Sequence, residues 1–403
     1  SEYLSTALTI YEHMHQLHSS HHVTHSSGKK VSLGVVRMAN INPMVEVAKC
    51  LMNMTPKSDH HIHFCIYHSQ FPLAMRSFKE SRLDKALSRH DEQLLWQQPE
   101  IQRAIKTSTA KNHIFVVMGT SVVEVGRDHD YDWAIAEPSS MRSIIQLAGR
   151  VQRHRQHIPK TSNVRVLNKN IRALKNEIPA YCKPGFESKA LPLAEHDLNK
   201  LVTNELTHIS AISRIIEPTF TSYDFEVTTK YGPANATNNL MVQEHRSLRF
   251  HLEIIGGNKY VEKYYRNEKE SNIWWNETTA THASWNGEFI RQTEFRKSQM
   301  QEAFILRINE DEQLTWSQLD TTQKPYSYTP KNSRFNNENI TLVQGCYWWF
   351  EEMPSDIYQH FAEALNCNLQ KASQQLGEIN LRAEKDDQLI TWSWHPQLGV
   401  YER

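Results

Sequence analysis

Between residues 31 and 167, short apolar runs alternate with amphipathic stretches, and this alternation constrains the fold more than any other feature of the chain. Segments 31–38, 63–67, 113–118, 133–136 and 164–167 have the length and composition of buried strands. A helix is predicted after the first of them, with Asn42 as its N-cap, Pro43 at its first position, and Met44, Ala48, Leu51 and Met52 on its apolar face. Further helices are predicted at 72–88 and 140–153, the latter offering Ile144, Ile145, Leu147, Ala148 and Val151 to a core. Strands that alternate with helices build an α/β fold, a parallel sheet with helices on both faces. Ligands of such sheets bind beyond the carboxyl ends of the strands.

The flanks read differently. Leu4, Leu8, Tyr11, Met14 and Leu17 are spaced three or four apart, so residues 1–30 are expected to be an N-terminal helix and a Ser/His/Gly-rich linker. Residues 31–185 would form the α/β domain and 186–255 a mainly helical linker, with a helix at 196–215. Residues 256–403 would form a smaller mixed α+β domain. Eight of the ten tryptophans lie beyond residue 270, Gly256-Gly257 and Asn286-Gly287 signal turns, and a last helix is expected at 354–375.

Composition narrows the class. Of 403 residues 39% are hydrophobic and 22% charged, which supplies a core and excludes wholesale disorder. No apolar run approaches the roughly 18–20 residues of a membrane span. The N-terminus has neither a signal-peptide pattern nor an initiator Met, which fits a processed fragment of a cytoplasmic protein. Five scattered cysteines, none in a C-x-x-C pair, argue against a disulfide framework and a thiolate metal site. His13, His15, His18, His21, His22 and His25 lack the spacing of a metal motif and read as a polar, exposed stretch. His60-His61-x-His63 reads as a strand edge. Forty-five Lys+Arg balance 45 Asp+Glu, yet nine Lys/Arg and no acid lie between Arg142 and Lys175. That bias suits a phosphate backbone, or simply a solvated basic face.

Three constellations could carry chemistry. On a helix, Arg142, Gln146, Arg150 and Arg153 fall on one stripe beside Gly149. Guanidinium forks pair bidentately with phosphate oxygens, and an arginine at a terminal phosphate stabilises phosphoryl transfer. An exposed basic helix would give the same pattern. Second, Gly119-Thr120-Ser121 through Glu124, Gly126, Arg127 and Asp128 follows an apolar strand. Thr120 and Ser121 offer hydroxyls to phosphates, and Asp128 could accept from a ribose hydroxyl. Third, His68 and Ser69, with Arg76 beyond them, end another strand and could hold a nucleic acid backbone. A plain strand–turn–helix junction and a capping serine explain the second and third equally well. No G-x-x-x-x-G-K-[ST] loop, strand-borne acidic magnesium motif, nucleophile elbow or paired-His metal motif is present. The chain holds the arginine half of a nucleotide site without the phosphate-cradling half.

These residues resemble a known family. Segments 120–128, 133–138 and 146–155 are similar to motifs five and six of superfamily-two helicases, and 31–43 to motif four. The wording of Val35–Pro43, Tyr67-His68-Ser69, Val123–Asp130 and Glu137-Pro138-Ser139-Ser140 resembles the CRISPR-associated helicase–nuclease of type I systems, closest to the type I-F form fused to an adaptation subunit. Motif similarity covers about 31–170, with Phe295-Arg296-Lys297-Ser298 a modest echo beyond.

The resemblance implies a RecA-like domain from the C-terminal half of an ATP-dependent single-stranded DNA translocase and nuclease. A first RecA-like domain, an HD-type nuclease with its metal and the adaptation subunit would lie upstream. It implies that Gln146, Arg150 and Arg153 face ATP and its Mg, with Arg153 the arginine finger, and that the fragment alone is inactive. Gly126 and Asp128 would lie near the ribose, and Thr120, Ser121, His68 and Ser69 along the DNA. The C-terminal domain would cover the DNA channel, its tryptophans offering stacking platforms for bases, although such tryptophans more often fill a core. Implied partners are single-stranded DNA, an RNA-guided surveillance complex, the adaptation integrase and phage anti-CRISPR inhibitors, with no membrane. A helicase-like docking module without catalysis and an RNA helicase of the same superfamily remain alternatives.

Overall fold

The computed structural model describes residues 1–155, 157–202, 228–229, 232–233, 235–252, 300–322, 324–382, 384–385 and 388–402. Most of the helix expected at 196–215, the turns at 256–257 and 286–287, Phe295–Ser298 and Trp274, Trp275 and Trp285 lie outside these residues. The chain divides into two compact units. One comprises Ser1–Ala136, Gln146–Val166 and Gln299–Arg403, and the other Glu137–Ile145 and Leu167–Ser298.

The first unit is organised by a sheet. After helix α1 (Glu2–Ser20) a short strand β1 (Val23–Thr24) pairs antiparallel with β2 (Lys30–Arg37). Helix α2 (Ile41–Met52), β3 (His60–Tyr67), helices α3 (Leu73–Leu87), α4 (Gln93–Trp96) and α5 (Pro99–Thr107), β4 (Asn112–Gly119) and β5 (Trp133–Ala136) follow. Helix α6 (Met141–Ala148) precedes β6 (Val164–Val166). Strands β3, β4, β2, β5 and β6 lie side by side, all parallel, as the alternation demands. The period of two sorts the residues of β2 between the faces. Val31, Leu33 and Val35 join a core with Ala74 and Phe78 of α3, while Ser32 on the other face bonds His18 of α1. Helices therefore cover both sides.

Helix α2 begins two residues earlier than expected, with Asn40 rather than Asn42 at its N-cap. The histidines of the N-terminal stretch depart further from expectation, because His15, His18 and His21 are buried. They lie in or just after α1, which turns Ala7, Ile10, Met14 and Leu17 inward while Leu4 and Leu8 stay exposed. His63 also lies inside, its ring stacked on Phe115 at 4.2 Å.

Gly34 opposes Trp133 in the register of β2 and β5, and a Cβ there would sit 2.1 Å from the indole ring. Trp133 is fully buried and donates from Nε1 to Ser32 Oγ, so it has no retreat. Gly34→Ala should cost about 1–3 kcal/mol or more by overpacking. A denaturation midpoint equal to that of the parent would contradict this.

Strand β13 (Cys346–Trp348) pairs parallel with β3 at the sheet's outer edge. The C-terminal residues also build an antiparallel sheet from β9 (Gln301–Ile308), β10 (Leu314–Asp320), β11 (Ser327–Pro330) and β14 (Glu378–Arg382). A mixed sheet of β12 (Phe335–Asn337), β17 (Trp392–His395) and β18 (Gly399–Glu402) lies with it around one core. The expected last helix is two helices, Pro354–Leu365 and Leu369–Leu376, broken at Asn366 with φ 51°. Trp316, Trp349, Trp392 and Trp394 are buried, and Trp316 stacks on Phe335 at 4.0 Å. These four fill cores, the commoner role of such residues, and present no face to a base. Two hairpins, β7 (Thr228–Thr229) with β8 (Gly232–Pro233) and β15 (Glu384–Lys385) with β16 (Gln388–Leu389), complete the strands.

In the second unit, buried carboxylates hold backbone in place. Glu137 accepts from Ile171 N–H at 2.7 Å, at the start of α7 (Ile171–Leu174). Glu187 accepts from Ala180 and Tyr181 N–H and from His196. Glu244, on helix Leu240–Leu252, accepts the N–H groups of Met141 and Arg142 at the start of α6. A carboxylate at a helix N-terminus satisfies orphan donors and complements the dipole. No helix among the described residues is long and apolar enough to cross a membrane.

Candidate nucleotide and nucleic-acid site

Parallel strands bring their ends into one row. Arg37, Tyr67, Gly119 and Ala136 are register neighbours at the carboxyl edge of β2, β3, β4 and β5. Gly119 is required here, since a Cβ would lie 2.7 Å from Tyr67 O. The chain then turns through a 3-10 segment, Ser121–Val123, with Thr120 buried at its start and Ser121 exposed.

Arg37 is buried, and its guanidinium meets the buried Glu124 carboxylate at 2.5 Å. The backbone carbonyl of Glu124 in turn accepts from Arg150 Nε and Nη2, at 3.1 and 2.9 Å. A fork on one carbonyl fixes Arg150 in direction as well as position. The 119–128 loop is thus pinned between the end of β2 and the segment that follows α6. Gly126, exposed with φ 73° and open space around it, adopts the left-handed conformation that glycine tolerates without strain.

Helix α6 stops at Ala148, so Arg142, Gln146, Arg150 and Arg153 do not share one helical stripe as the pattern predicted. The cause is backbone pairing: Tyr131 N–H donates to Arg150 O, Gln152 N–H donates to Tyr131 O, and Gln152 takes φ 49°. These bonds replace the helical ladder with an isolated bridge between Tyr131 and Val151. Arg153 consequently reaches Asp128, Nε to Oδ1 at 2.7 Å. His154 reaches the same oxygen at 3.1 Å. Slight burial of the Asp128 carboxyl is outweighed by the hydrogen bond and charge of His154 and by Arg153, and its pKa is held below the usual value. Gln146 stays exposed on α6.

Asp128, Asp130 and Asp132 alternate, so an extended chain turns them to one side. Opposite them, Arg155 donates to Asp130 and Asp132 at 2.6 and 2.5 Å, and Arg89 lies 3.3 Å from Asp132. Burial alone would raise the Asp132 carboxyl, but Arg89 and Arg155 outweigh it and hold it low. The sequence reading assigned no role to Arg37, Glu124, Arg155 or His90. The alternating acids were the available signal for Arg155; none pointed to His90.

Of the residues expected to face nucleic acid, Ser121 and Ser69 are exposed and Thr120 is nearly covered. His68 is fully buried: Nε2 donates to Leu398 O at 2.7 Å and Nδ1 accepts from Gln70 N–H. Burial pushes its pKa down to about 3. Both ring nitrogens are spent on the chain's own backbone, so His68 ties the end of β3 to the C-terminal hairpin and offers a phosphate nothing.

Residues 30–156 match the family model described as CRISPR-associated nuclease/helicase Cas3, C-terminal. The parallel sheet and its strand-end motifs thus lie within the stretch that is similar to this family. Along almost its whole length the chain is similar to the Cas3 nuclease/helicases of subtype I-F. It is 43% identical to the protein of that name from Pectobacterium atrosepticum over 405 residues, covering 99% of this chain and 34% of the relative. It is 34% identical to the one from Pseudomonas aeruginosa over 396 residues, covering 96% of this chain and 33% of that protein. The chain thus spans about a third of the length of the curated relatives it matches. Among solved structures, T. fusca Cas3 with ATP aligns at 17% identity and TM-score 0.30, covering 40% of this chain and 16% of that one.

Proposed function

We propose that the chain supplies the arginine half of the ATP site, and part of the DNA track, of an ATP-dependent single-stranded DNA translocase and nuclease acting in CRISPR interference. The observation that carries this is the joining of two loops at the strand ends, Glu124 carbonyl to Arg150 and Asp128 to Arg153. The residues fit an ATP whose phosphate-binding loop another domain provides. Arg153 is 41% exposed and its partner Asp128 63% exposed. An ion pair so open to water is worth about 0–1 kcal/mol, so Arg153 exchanges it readily for a phosphate. Arg150, locked by its fork, is a positioning residue that holds the Gly126 loop. On this reading Asp128 and Gly126, both exposed on the loop, meet the ribose, and Gln146 presents an amide from α6. Bound ATP with Mg supplies the anhydride whose hydrolysis drives movement.

Ser121 and Ser69 are the exposed hydroxyls proposed to meet the DNA backbone, with Thr120 beside them. The HD-type nuclease and its metal, the surveillance complex, the adaptation integrase and phage anti-CRISPR inhibitors belong to the intact cytoplasmic protein on this reading. In that intact protein Arg153→Ala should lower DNA-stimulated ATP hydrolysis by about 100-fold or more, while the thermal midpoint stays within a degree or so. Near-parental turnover removes the finger assignment. Stimulation by RNA in preference to single-stranded DNA removes the DNA reading.

A further inference from the structure

We infer that His90, Asp128 and His154 form a binding site for one Zn²⁺-type transition-metal ion, distinct from any ion that accompanies a nucleotide. The three come from separate segments: the loop after α3, the loop after β4, and the run after α6. One ligand atom of each lies within 4.8 Å of the others. Asp128 Oδ2 is 3.8 Å from His90 Nε2, and Oδ1 is 3.1 Å from His154 Nε2. Two imidazoles and a carboxylate are the ligand set that suits zinc and its neighbours, whereas magnesium and calcium take oxygen alone. Bonds of about 2.0–2.1 Å in a tetrahedron need ligand atoms about 3.3 Å apart, so from within 4.8 Å the cluster must tighten by at most about 1.5 Å.

The geometry allows that movement. The two rings stack with centroids 3.8 Å apart and planes 24° from parallel, which sends both Nε2 atoms toward the same carboxylate. His90 is 64% exposed and free to swing its ring until its lone pair converges with that of His154. Asp128 and a water complete four ligands.

A second observation lies behind His154. Its Nδ1 is shut off from solvent and has no hydrogen-bond partner among the described residues. That atom is 3.9 Å from Oδ2 of the buried Asp130. A metal on Nε2 leaves the imidazole proton on Nδ1, facing Asp130. This is the carboxylate–histidine–metal arrangement that orients metal-bound imidazoles. Without the metal, His154 donates from Nε2 to Asp128 and its Nδ1 goes unused. Binding therefore replaces one Nε2 proton by the ion and turns an idle buried nitrogen into a donor.

The test uses the full chain, freed of metal by chelation and titrated with Zn²⁺ alone, with Co²⁺ as a coloured stand-in. The parent should bind one equivalent more than His90→Gln, or bind that equivalent at least tenfold more tightly, and should show visible tetrahedral Co²⁺ bands that the variant lacks. Asp128→Asn should lose the same equivalent. Far-UV circular dichroism of both variants should match the parent. Acidification should release the ion, because a protonated imidazole cannot ligate. Equal stoichiometry, affinity and cobalt spectra for the parent and both variants would overturn the site.

Discussion

Acidifying the protein from about pH 7.5 to about pH 4.5 is expected to unfold the sheet-bearing unit, before most carboxylates titrate. The cause is a set of imidazoles that the fold holds neutral. In α1, burial pushes His15 down to about 4 and His18 to about 3. In the sheet it pushes His113 to about 4, and at the end of β3 it pushes His68 to about 3. His63 lies well below its ordinary value, first through burial and then through His113.

In His15, His18, His68 and His113 the nitrogen that would take the second proton is already committed as an acceptor. His15 Nδ1 donates to Tyr11 O and Nε2 accepts from Lys57 N–H. Asn112 Oδ1 can only accept, so His18 Nε2 carries the proton and Nδ1 takes the hydroxyl of Ser32, whose oxygen accepts from Trp133. His113 Nε2 donates to Ala110 O, which leaves Nδ1 to accept from His63 Nε2 at 3.2 Å.

Below the unfolded value of 6.5 the unfolded chain binds protons that the native state refuses, so stability falls with pH until each native pKa is reached. By about pH 4.5 a histidine held near 4 or 3 has cost roughly 3 kcal/mol, against a net stability of about 5–15 kcal/mol. Carboxylates held low by partners, such as Asp132 and Asp84, lose their contribution only below their ordinary value of 3.8. The two causes therefore occupy separate pH windows. Near-UV circular dichroism followed against pH should show the loss between about 6.5 and 4. A spectrum unchanged at about pH 4.5 would refute the account.

Arg155→Ala should cost about 3–5 kcal/mol, read as a fall in the denaturation midpoint. The guanidinium bridges two carboxylates that are almost entirely buried, and it also donates to Tyr131 O at 3.0 Å. Removing it strands Asp130, which among the described residues keeps the distant His154 ring and the His154 N–H as donors. Asp132 retains Arg89 and Leu33 N–H. Arg155→Lys should recover only part of the loss, because one ammonium cannot span both carboxylates with paired donors. A loss under about 1 kcal/mol for the alanine variant would show that the acids find other partners.

The parallel core was legible because each of its strands is a compact apolar run, and boundaries fell within a few residues. The end of α6 was not. Gly149 is tolerated inside a helical pattern, and what stops the helix is the pairing of Arg150 and Gln152 with Tyr131, a tertiary event. The motif therefore brought the arginines and the loop together as a proposed half-site, while the contacts they make, Arg150 on a carbonyl and Arg153 on Asp128, were not legible. His15 and His18 were misjudged by chemistry alone. Their spacing from Ala7, Ile10 and Met14 already placed them beside the buried face of α1. His68 resembled a strand-end ligand because nothing local announces that Leu398 will cover it.

The placement of β13 bears on how the protein is made. Its pairing partner β3 ends at Tyr67, while β13 begins at Cys346. At a synthesis rate of about 5–20 residues per second, the intervening stretch of about 280 residues leaves the outer edge of β3 without its neighbour for some 15–60 s. That edge carries His60, His61 and His63 among its apolar residues, side chains that discourage pairing with a stray strand more than an unbroken aliphatic run would. His63, one of the histidines that make the finished unit sensitive to acid, thus also suits a strand that must wait for the C-terminal part of the chain.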